Sequence, residues 1–214
     1  MKVVIFGTGE NGFQAFHILR HRPEYEVVGF LDDDRGKHGA TVLGLPVFGD
    51  LNAVPDLRRR QGVEGGVVAV GDNHVRGRLL PQLRAAGLEI VSAIHPNVFM
   101  DSPARIGEGV IIEMGVAIHP GATVGEGVFL GGGCIVSHHS TVGDYVLIAG
   151  GVVFGGHIRV GAYTLLGVGA SIQPHVTIGA NVVVGVGAAV IADLPDNVVA
   201  VGVPAKVIRE RRSP

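Results

Sequence analysis

Aliphatic residues recur at every sixth position along the second half of the chain. From Ile106 to Val190, fifteen successive positions with this spacing hold Ile, Leu, Val or Phe. The residue four places after each of the first fourteen is small or β-branched, as at Val110, Cys134 and Ser140. An α-helix would need an apolar spacing of about 3.6 residues and would avoid so many glycines and valines. The pattern therefore predicts short strands joined by corners, which is the arrangement of a β-solenoid.

If three six-residue units make one triangular coil, residues eighteen apart stack at the strand spacing of about 4.8 Å. The third residue after each aliphatic position then forms one column per corner. One column contains His139, His157 and His175, a second contains tyrosine and asparagine, and the third contains only glycine. Because Gly, Asn and His tolerate a left-handed backbone better than most residues, we expect positive φ angles in the histidine column.

The first hundred residues lack this rhythm and predict a separate α/β domain. The apolar run Val3–Phe6 predicts a buried strand, and a helix should follow over about 13–20 with Phe13, Phe16 and Leu19 on its buried face. Further strands are expected at 27–31, 66–70 and 89–94, and further helices at 51–60 and 75–86. Alternating β and α elements predict a small parallel sheet with helices on both faces.

These patterns give two domains, residues 1–95 and 96–214. A net charge of −2 with scattered Lys and Arg offers no electrostatic footprint for nucleic acid. The single cysteine, Cys134, falls on an inward position, which is typical of a buried thiol in a reducing compartment. No apolar stretch has the length of a signal peptide core or a membrane span. We therefore expect a cytoplasmic protein with neither a nucleic-acid nor a membrane partner.

Gly7, Gly9 and Gly12 form a G-x-G-x-x-G pattern between the first predicted strand and helix. Such a loop lets backbone N–H groups approach a phosphate at a helix N-terminus. Asp32 lies twenty residues past Gly12, about where an acid binds a ribose. The domain is too short for the two complete halves of a dinucleotide site, so a nucleotide-sugar fits better than NAD. The alternative is that the glycines serve only tight packing of helix on sheet.

Two histidines interrupt the solenoid where glycine-rich corners are the rule. His138 occupies an outward position, and an imidazole titrates close enough to neutral pH to act as a general base. The alternative is a surface histidine without a role. For His139, His157 and His175, the left-handed backbone explains the residue type, and a metal ladder remains an alternative that no acid or cysteine joins. We expect no metal in the reaction.

Taken together, these segments resemble the left-handed β-helix acyltransferases with hexapeptide repeats, in particular the bacterial nucleotide-aminosugar N-acetyltransferases and their sialic acid O-acetyltransferase relatives. The resemblance covers nearly the whole chain and is carried by the following segments: the glycine loop at 7–12, the strand end at 31–33, the 70–76 segment, the junction at 94–96, the repeats and the closing 202–206. It implies an α/β Rossmann-like N-terminal domain that holds a nucleotide-linked amino sugar. It also implies a homotrimer with inter-subunit active sites and acetyl-CoA lying along the β-helix.

The resemblance also suggests roles for individual residues of the β-helix. His138 matches the family's general base, which is usually followed by Glu or Asp, whereas His139 follows it here. Gly156 matches a glycine whose N–H lies near the thioester carbonyl. Leu147 stands where a histidine is common near acetyl-CoA. Independently of the resemblance, Lys206 in the basic tail is a candidate for a CoA phosphate, and the alternative is a tail that is simply solvated.

In the N-terminal domain, the resemblance makes the glycine loop the substrate site. Asn11 stands where the family often has histidine, and Asp32, Asp33 and Asn73 fall on segments that contact the nucleotide. The implied activity is direct N-acetyl transfer without an acyl-enzyme. The alternatives are an O-acetyltransferase acting on a sialic acid-type sugar and a non-catalytic nucleotide-binding scaffold. A dehydrogenase fits least, because no second catalytic domain follows the short first one.

Overall fold

The protein is described by a computed structural model that covers residues 1–212. It divides into two compact units, Met1–Pro96 and the segment from Asn97 onward. No helix within the described residues has both the length and the apolar character needed to cross a membrane.

The first unit is built on a four-stranded parallel sheet with the strand order β2-β1-β5-β6. Its strands are β1 Lys2–Phe6, β2 Glu26–Leu31, β3 Thr41–Val42, β4 Leu45–Pro46, β5 Val63–Val68, β6 Glu89–Ile90 and β7 Ala93–Ile94. Its helices are α1 Glu10–Leu19, α2 Val54–Gln61 and α3 Asn73–Ala85, with short 3₁₀ turns at Arg35–Lys37 and Leu51–Ala53. Since parallel strands connect through right-handed crossovers, α1 lies on one face of the sheet and α2 and α3 on the other. The predicted α/β architecture is confirmed.

Helix α1 differs from its prediction in both its start and its buried face. It begins at Glu10, and the prediction missed its first turn because that turn is polar and carries no apolar pattern. Phe13, which was expected to be buried, is 39% exposed. The face that packs inward carries Ala15, Ile18 and Leu19. Gly12 sets this orientation: a side chain there would collide with the backbone of the glycine loop, so its helical face must lie against the sheet.

Three other boundaries also differ from the sequence prediction. The strand predicted at 66–70 is Val63–Val68, because its first residues pair with β1 although they include Glu64 and glycine. The strand predicted at 89–94 is split into two short strands. The helix predicted from residue 51 begins as a 3₁₀ turn before α2. In each case backbone pairing, which hydrophobicity does not report, sets the boundary.

The second unit is a left-handed parallel β-helix, as predicted. Its two-residue strands are β8 Phe99–Met100, β9 Arg105–Ile106, β10 Ile111–Ile112, β11 Ala117–Ile118, β12 Thr123–Val124, β13 Phe129–Leu130, β14 Ile135–Val136, β15 Thr141–Val142, β16 Leu147–Ile148, β17 Val153–Phe154, β18 Arg159–Val160, β19 Leu165–Leu166, β20 Ser171–Ile172, β21 Thr177–Ile178, β22 Val183–Val184 and β23 Ala189–Val190. A closing antiparallel pair follows, β24 Val198–Val201 and β25 Lys206–Glu210. Partners across neighbouring coils are eighteen residues apart, as in Thr123, Thr141 and Arg159. The strands form three sheets, one per side of the coil.

The interior of the coil is filled by the two inward positions of each repeat. Fourteen of the fifteen periodic aliphatic residues are buried, and Ile106, in the first coil, is half-buried. The small position is also buried, and its hydroxyls bond to backbone: Ser140 Oγ accepts from the Ile158 N–H at 3.1 Å, and Thr164 Oγ1 donates to the Gly179 carbonyl at 2.8 Å. Each buried large aliphatic contributes about 1.5–3 kcal/mol, so the repeat itself stabilises the unit.

The corners of the coil adopt the predicted left-handed backbone. The φ angles are 56° at His139, 61° at His157 and 67° at His175. The three corners differ in chemistry, and we name them by their residues. The histidine corner consists of Pro120, Gly121, His138, His139, Gly156, His157, Pro174 and His175. The acidic corner consists of Glu108, Gly109, Glu126, Gly127, Asp144, Tyr145, Ala162, Tyr163, Ala180 and Asn181. The apolar corner consists of Met114, Gly115, Gly132, Gly133, Gly150, Gly151, Val168, Gly169, Val186 and Gly187.

Candidate active site

The histidine corner holds a pair of hydrogen-bonded imidazoles. His138 and His139 lie in the turn between β14 and β15, and their Nδ1 atoms are 3.1 Å apart. A hydrogen bond between two imidazole nitrogens requires one protonated and one bare nitrogen. If His139 accepts, His138 carries its proton on Nδ1, and its Nε2 is bare and able to receive a proton. This is the tautomer that a general base needs.

Gly156 lies one coil away from His138 and leaves room for its ring. A Cβ atom at this position would be 2.5 Å from His138 Nε2, well inside van der Waals contact. The Nε2 edge of the imidazole therefore lies directly over the Gly156 backbone. Only glycine allows this approach without moving the ring.

The Gly156 N–H occupies a position that binds anionic oxygens elsewhere in the same β-helix. The matching N–H groups, two places after the periodic aliphatic residue, donate to carboxylates in three other repeats: Glu126 to Asp144 at 2.9 Å, Gly132 to Glu113 at 2.7 Å and Ala180 to Asp196 at 2.7 Å. Within the described residues, the Gly156 N–H has no such acceptor. It is a donor beside the base, placed where the fold supports a negatively charged oxygen.

The next two coils of the β-helix add His157 and His175 to the same column. His157 stacks on His139 with ring centroids 4.9 Å apart, and His175 stacks on His157 at the same spacing. The His138 ring stands almost perpendicular to both His139 and His157. Desolvation lowers the pKa of the His157 imidazole, and the neighbouring His175 and His139 rings lower it further. The His157 imidazole is therefore biased toward its neutral form.

A cleft of about 420 Å³ in the first unit is formed around the glycine loop. Gly7 has a left-handed φ of 112° and packs against the Ala69 carbonyl, whereas a side chain at Gly9 would meet nothing within 4 Å. Gly9 is also the N-cap of α1 and leaves the first N–H groups of that helix without a side-chain cap. The loop thus presents unsatisfied donors to the cleft, which favours a phosphate.

Asp32 holds this loop in place through its carboxylate. Oδ2 accepts from the Thr8 N–H at 3.1 Å, from the Thr8 hydroxyl and from Lys37 Nζ at 3.0 Å, while Oδ1 accepts from the Asp34 N–H. Partial burial raises the pKa of the Asp32 carboxyl, but the hydrogen bonds from Thr8, Asp34 and Lys37 outweigh it, and the pKa lies below its ordinary value. The carboxylate stays charged and fixes the shape of the cleft.

The sequence-predicted substrate residues are partly brought together here. Gly7, Gly9, Asn11, Asp32 and Asp33 all line the cleft. Gly12 and Asn73 do not line it.

Each of those two residues has a packing role instead. Gly12 lies against the backbone of Gly7, and Asn73 is buried at the start of α3 with its Oδ1 accepting from Arg76 at 3.0 Å. The cleft also contains Thr8 and Lys37, which sequence reasoning missed. Thr8 lay inside the glycine pattern, and Lys37 is the single cation among the residues that line the cleft.

The predicted β-helix residues fall into two groups. His138, His139 and Gly156 come together at the histidine corner. Leu147 lies in β16, half-buried, on a different side of the coil from the strands that flank the histidines, and Lys206 is exposed at the start of β25. Sequence reasoning also gave His157 no part in the site, although its ring stands next to that of His138.

Comparison with known proteins finds relatives of each unit and of the chain that contains both. The PglD N-terminal domain family matches residues 2–83, and the bacterial transferase hexapeptide (six repeats) family matches residues 103–138 and 121–156. A variant of perosamine N-acetyltransferase from Caulobacter crescentus, solved with CoA and GDP-perosamine, is 38% identical, with a TM-score of 0.92 and 98% of each chain covered. This likeness extends over both units and decides the family. The chain belongs to the left-handed β-helix family of nucleotide-aminosugar N-acetyltransferases.

Other members of the family are similar over different lengths. The acetyltransferase domain of PglB from Neisseria gonorrhoeae, solved with acetyl coenzyme A, is 26% identical, with a TM-score of 0.88, over 97% of this chain and 98% of that one. The UDP-N-acetylbacillosamine N-acetyltransferase of Bacillus subtilis is 32% identical over 115 residues, which are 51% of this chain and 50% of that protein. The match to this curated relative therefore spans about half of its length.

Proposed function

We propose that the protein transfers the acetyl group of acetyl-CoA to the amine of a nucleotide-linked amino sugar. The observation that carries this proposal is the placement of the His138 Nε2 edge directly over Gly156, whose N–H has no acceptor within the described residues. A base and an oxyanion donor that share one point are what acyl transfer to an amine requires. The Caulobacter relative with bound CoA and GDP-perosamine supports both substrates.

The chemistry follows from the two groups. The amine attacks the thioester carbonyl, the carbonyl oxygen becomes an oxyanion, and His138 Nε2 takes the proton that the amine loses. The Gly156 N–H stabilises the oxyanion, a contact worth about 3 kcal/mol in comparable sites. When the tetrahedral intermediate collapses, the carbon–sulfur bond breaks and the imidazolium returns its proton to the CoA thiolate. His139 holds the base in the correct tautomer by accepting a hydrogen bond from the Nδ1–H group of His138.

The transfer is direct in this proposal. The one cysteine, Cys134, is fully buried, and desolvation raises the pKa of its thiol to about 12. A thiol without exposure or thiolate character is a poor nucleophile. The amine of the sugar therefore attacks acetyl-CoA itself.

The nucleotide lies in the cleft of the first unit. Its phosphates bind at Gly9 and the N-terminus of α1, with Lys37 as the nearby cation. Asp33 and Glu10 line the same cleft and accept hydrogen bonds from hydroxyl or amine donors of the ligand. Such a mixture of backbone donors, one cation and free carboxylates suits a nucleoside diphosphate sugar.

A homotrimer with active sites between subunits is the second part of the proposal. The apolar corner supports it, because it carries no charged residue and exposes Met114, Val168 and Val186 at 59%, 55% and 78%. A row of bare glycine backbone and exposed aliphatic side chains gains stability when covered. Light scattering should give three chains for the wild type, and Val168→Asp should lower the mass and the activity together. Ala162→Asp, at the same repeat position on the acidic corner, is the control and should stay trimeric.

A cytoplasmic location completes the proposal, because Cys134 is a buried free thiol, which suits a reducing compartment. Cell fractionation with an antibody tests it directly. Recovery outside the cytoplasmic fraction would contradict it.

The activity is tested by CoA release, detected as free thiol, with acetyl-CoA and a panel of UDP-, dTDP- and GDP-linked amino sugars and their hydroxyl counterparts. We expect turnover with an amino sugar and a loss of at least about a hundredfold in His138→Ala. His175→Asn, which keeps the left-handed backbone of the same corner, is the matched control and should retain activity. Turnover with hydroxyl sugars alone would assign O-acetylation, and unchanged activity in His138→Ala would remove the proposed base.

A further inference from the structure

Three imidazoles on the histidine corner are close enough to share one metal ion. One ring nitrogen from each of His138, His139 and His157 lies within 4.8 Å of the other two, and all three residues are exposed. The Nδ1 atoms of His138 and His139 are 3.1 Å apart. Two nitrogens bound to one tetrahedral zinc ion are about 3.3 Å apart, given Zn–N bonds of about 2.0–2.1 Å. The first two ligands are therefore already spaced as a metal would space them.

The ring orientations define which movement would complete the site. His138 is nearly perpendicular to the other two rings. His139 and His157 are stacked within 5° of parallel, and parallel rings cannot both aim a lone pair at one point. Completing the site therefore requires the exposed His157 ring to rotate about its side-chain bonds. The backbone is held throughout, since the His157 N–H donates to the His138 carbonyl at 3.0 Å.

The three donor atoms decide which kind of ion fits the site. Imidazole nitrogens select zinc, cobalt, nickel and copper over magnesium and calcium, which prefer oxygen.

We propose that His138, His139 and His157 bind a divalent transition-metal ion of the zinc type, and that this ion switches off acetyl transfer. The ion takes the place of the proton between the two Nδ1 atoms and leaves further coordination positions to water. A neutral His138 with a metal on Nδ1 must carry its proton on Nε2, so the nitrogen that serves as base in the proposed function is blocked. Proton count is conserved, because the proton moves from Nδ1 to Nε2 through solvent.

The binding test is independent of the proposed function. Tag-free protein stripped with EDTA is titrated with Co²⁺, and visible absorption is followed. We expect a saturable band with one ion per chain in the wild type, and at least about a tenfold weaker affinity in His157→Asn, because one of three ligands is lost. His175→Asn, next in the same column and outside the set of three, keeps wild-type affinity. Absence of the band in the wild type, or equal affinity in His157→Asn, would overturn the proposal.

The inhibition test then connects the ion to the chemistry. Zn²⁺ at saturating concentration should lower wild-type turnover about a hundredfold, the scale of a lost general base, and EDTA should restore it. Mg²⁺ at equal concentration should have no effect, and His157→Asn should resist Zn²⁺. Inhibition of His157→Asn equal to that of the wild type would contradict the assigned ligands. If no sugar is acetylated at all, the proposed function fails, while the cobalt titration still decides the metal site.

Discussion

A methyl group at position 156 should disable the base without unfolding the protein. The Cβ of Gly156→Ala would be 2.5 Å from His138 Nε2, and an ordinary contact is about 3.5–4.0 Å. The exposed ring must therefore retreat by about 1 Å or more. Misplacement of a reacting group by about 1 Å costs about a hundredfold in rate, so we expect kcat to fall by that factor.

Stability should hardly change in the same variant. Ala162 and Ala180 occupy the same position in other repeats, so the backbone there accepts alanine. Gly156 itself is buried, but the His138 ring that must move is exposed and can turn away, so we expect the free energy of unfolding to fall by about 1 kcal/mol or less. Thermal unfolding and CoA release on the same preparation measure both quantities, and the apparent KM for acetyl-CoA should stay close to the wild-type value.

The double variant His138→Ala/Gly156→Ala separates displacement of the base from other causes. Without the imidazole, the new methyl group meets no ring, so the double variant should match His138→Ala within about twofold. A further hundredfold loss in the double variant would show that Gly156 acts through the acetyl donor instead. Wild-type kcat in the single variant would refute the steric reasoning altogether.

Three further outcomes follow from the site. His139→Ala should lower kcat about 10–100-fold by removing the acceptor that orients His138, and His139→Asn, whose amide oxygen accepts while its backbone tolerates the left-handed φ, should recover part of it. Because the Asp32 pKa is depressed in the folded state, its stabilisation is present above the unfolded value of about 3.9 and lost as pH falls through the folded pKa, so the stability difference between wild type and Asp32→Asn in denaturant titrations should shrink toward low pH. Burial raises the pKa of the Cys134 thiol to about 12, so iodoacetamide at neutral pH should label it only in denaturant and leave activity intact; rapid native labelling would show that the coil opens.

Much of the β-helix could be predicted from the sequence because its constraint is local. Each repeat must place one aliphatic and one small residue inward. The spacing along the sequence is therefore enough to predict that Val136 and Cys134 are buried, without any long-range information. The left-handed corners were equally visible, since only a few residue types tolerate φ near 56° as at His139. The same reasoning placed His138 on the surface next to His139.

The N-terminal unit was predicted less well because its packing is not local. Phe13 is apolar but exposed, and the buried face of α1 is set by contact between Gly12 and the glycine loop. Thr8 and Lys37 enter the site through hydrogen bonds to Asp32, which no spacing rule reports. Ring orientation is also invisible in sequence, so the perpendicular approach of His138 to His157 required coordinates.

If His138 is the base for acetyl transfer to an amine, the product must be an amide and its formation must depend on this residue. The most direct measurement is mass spectrometry of the nucleotide sugar after incubation with acetyl-CoA, for wild type and His138→Ala, followed by hydroxylamine treatment. We expect one added acetyl group in the wild type, resistant to hydroxylamine because it is an amide, and at least about a hundredfold less product in His138→Ala. An acetyl group that hydroxylamine removes, or equal product from both proteins, would contradict it.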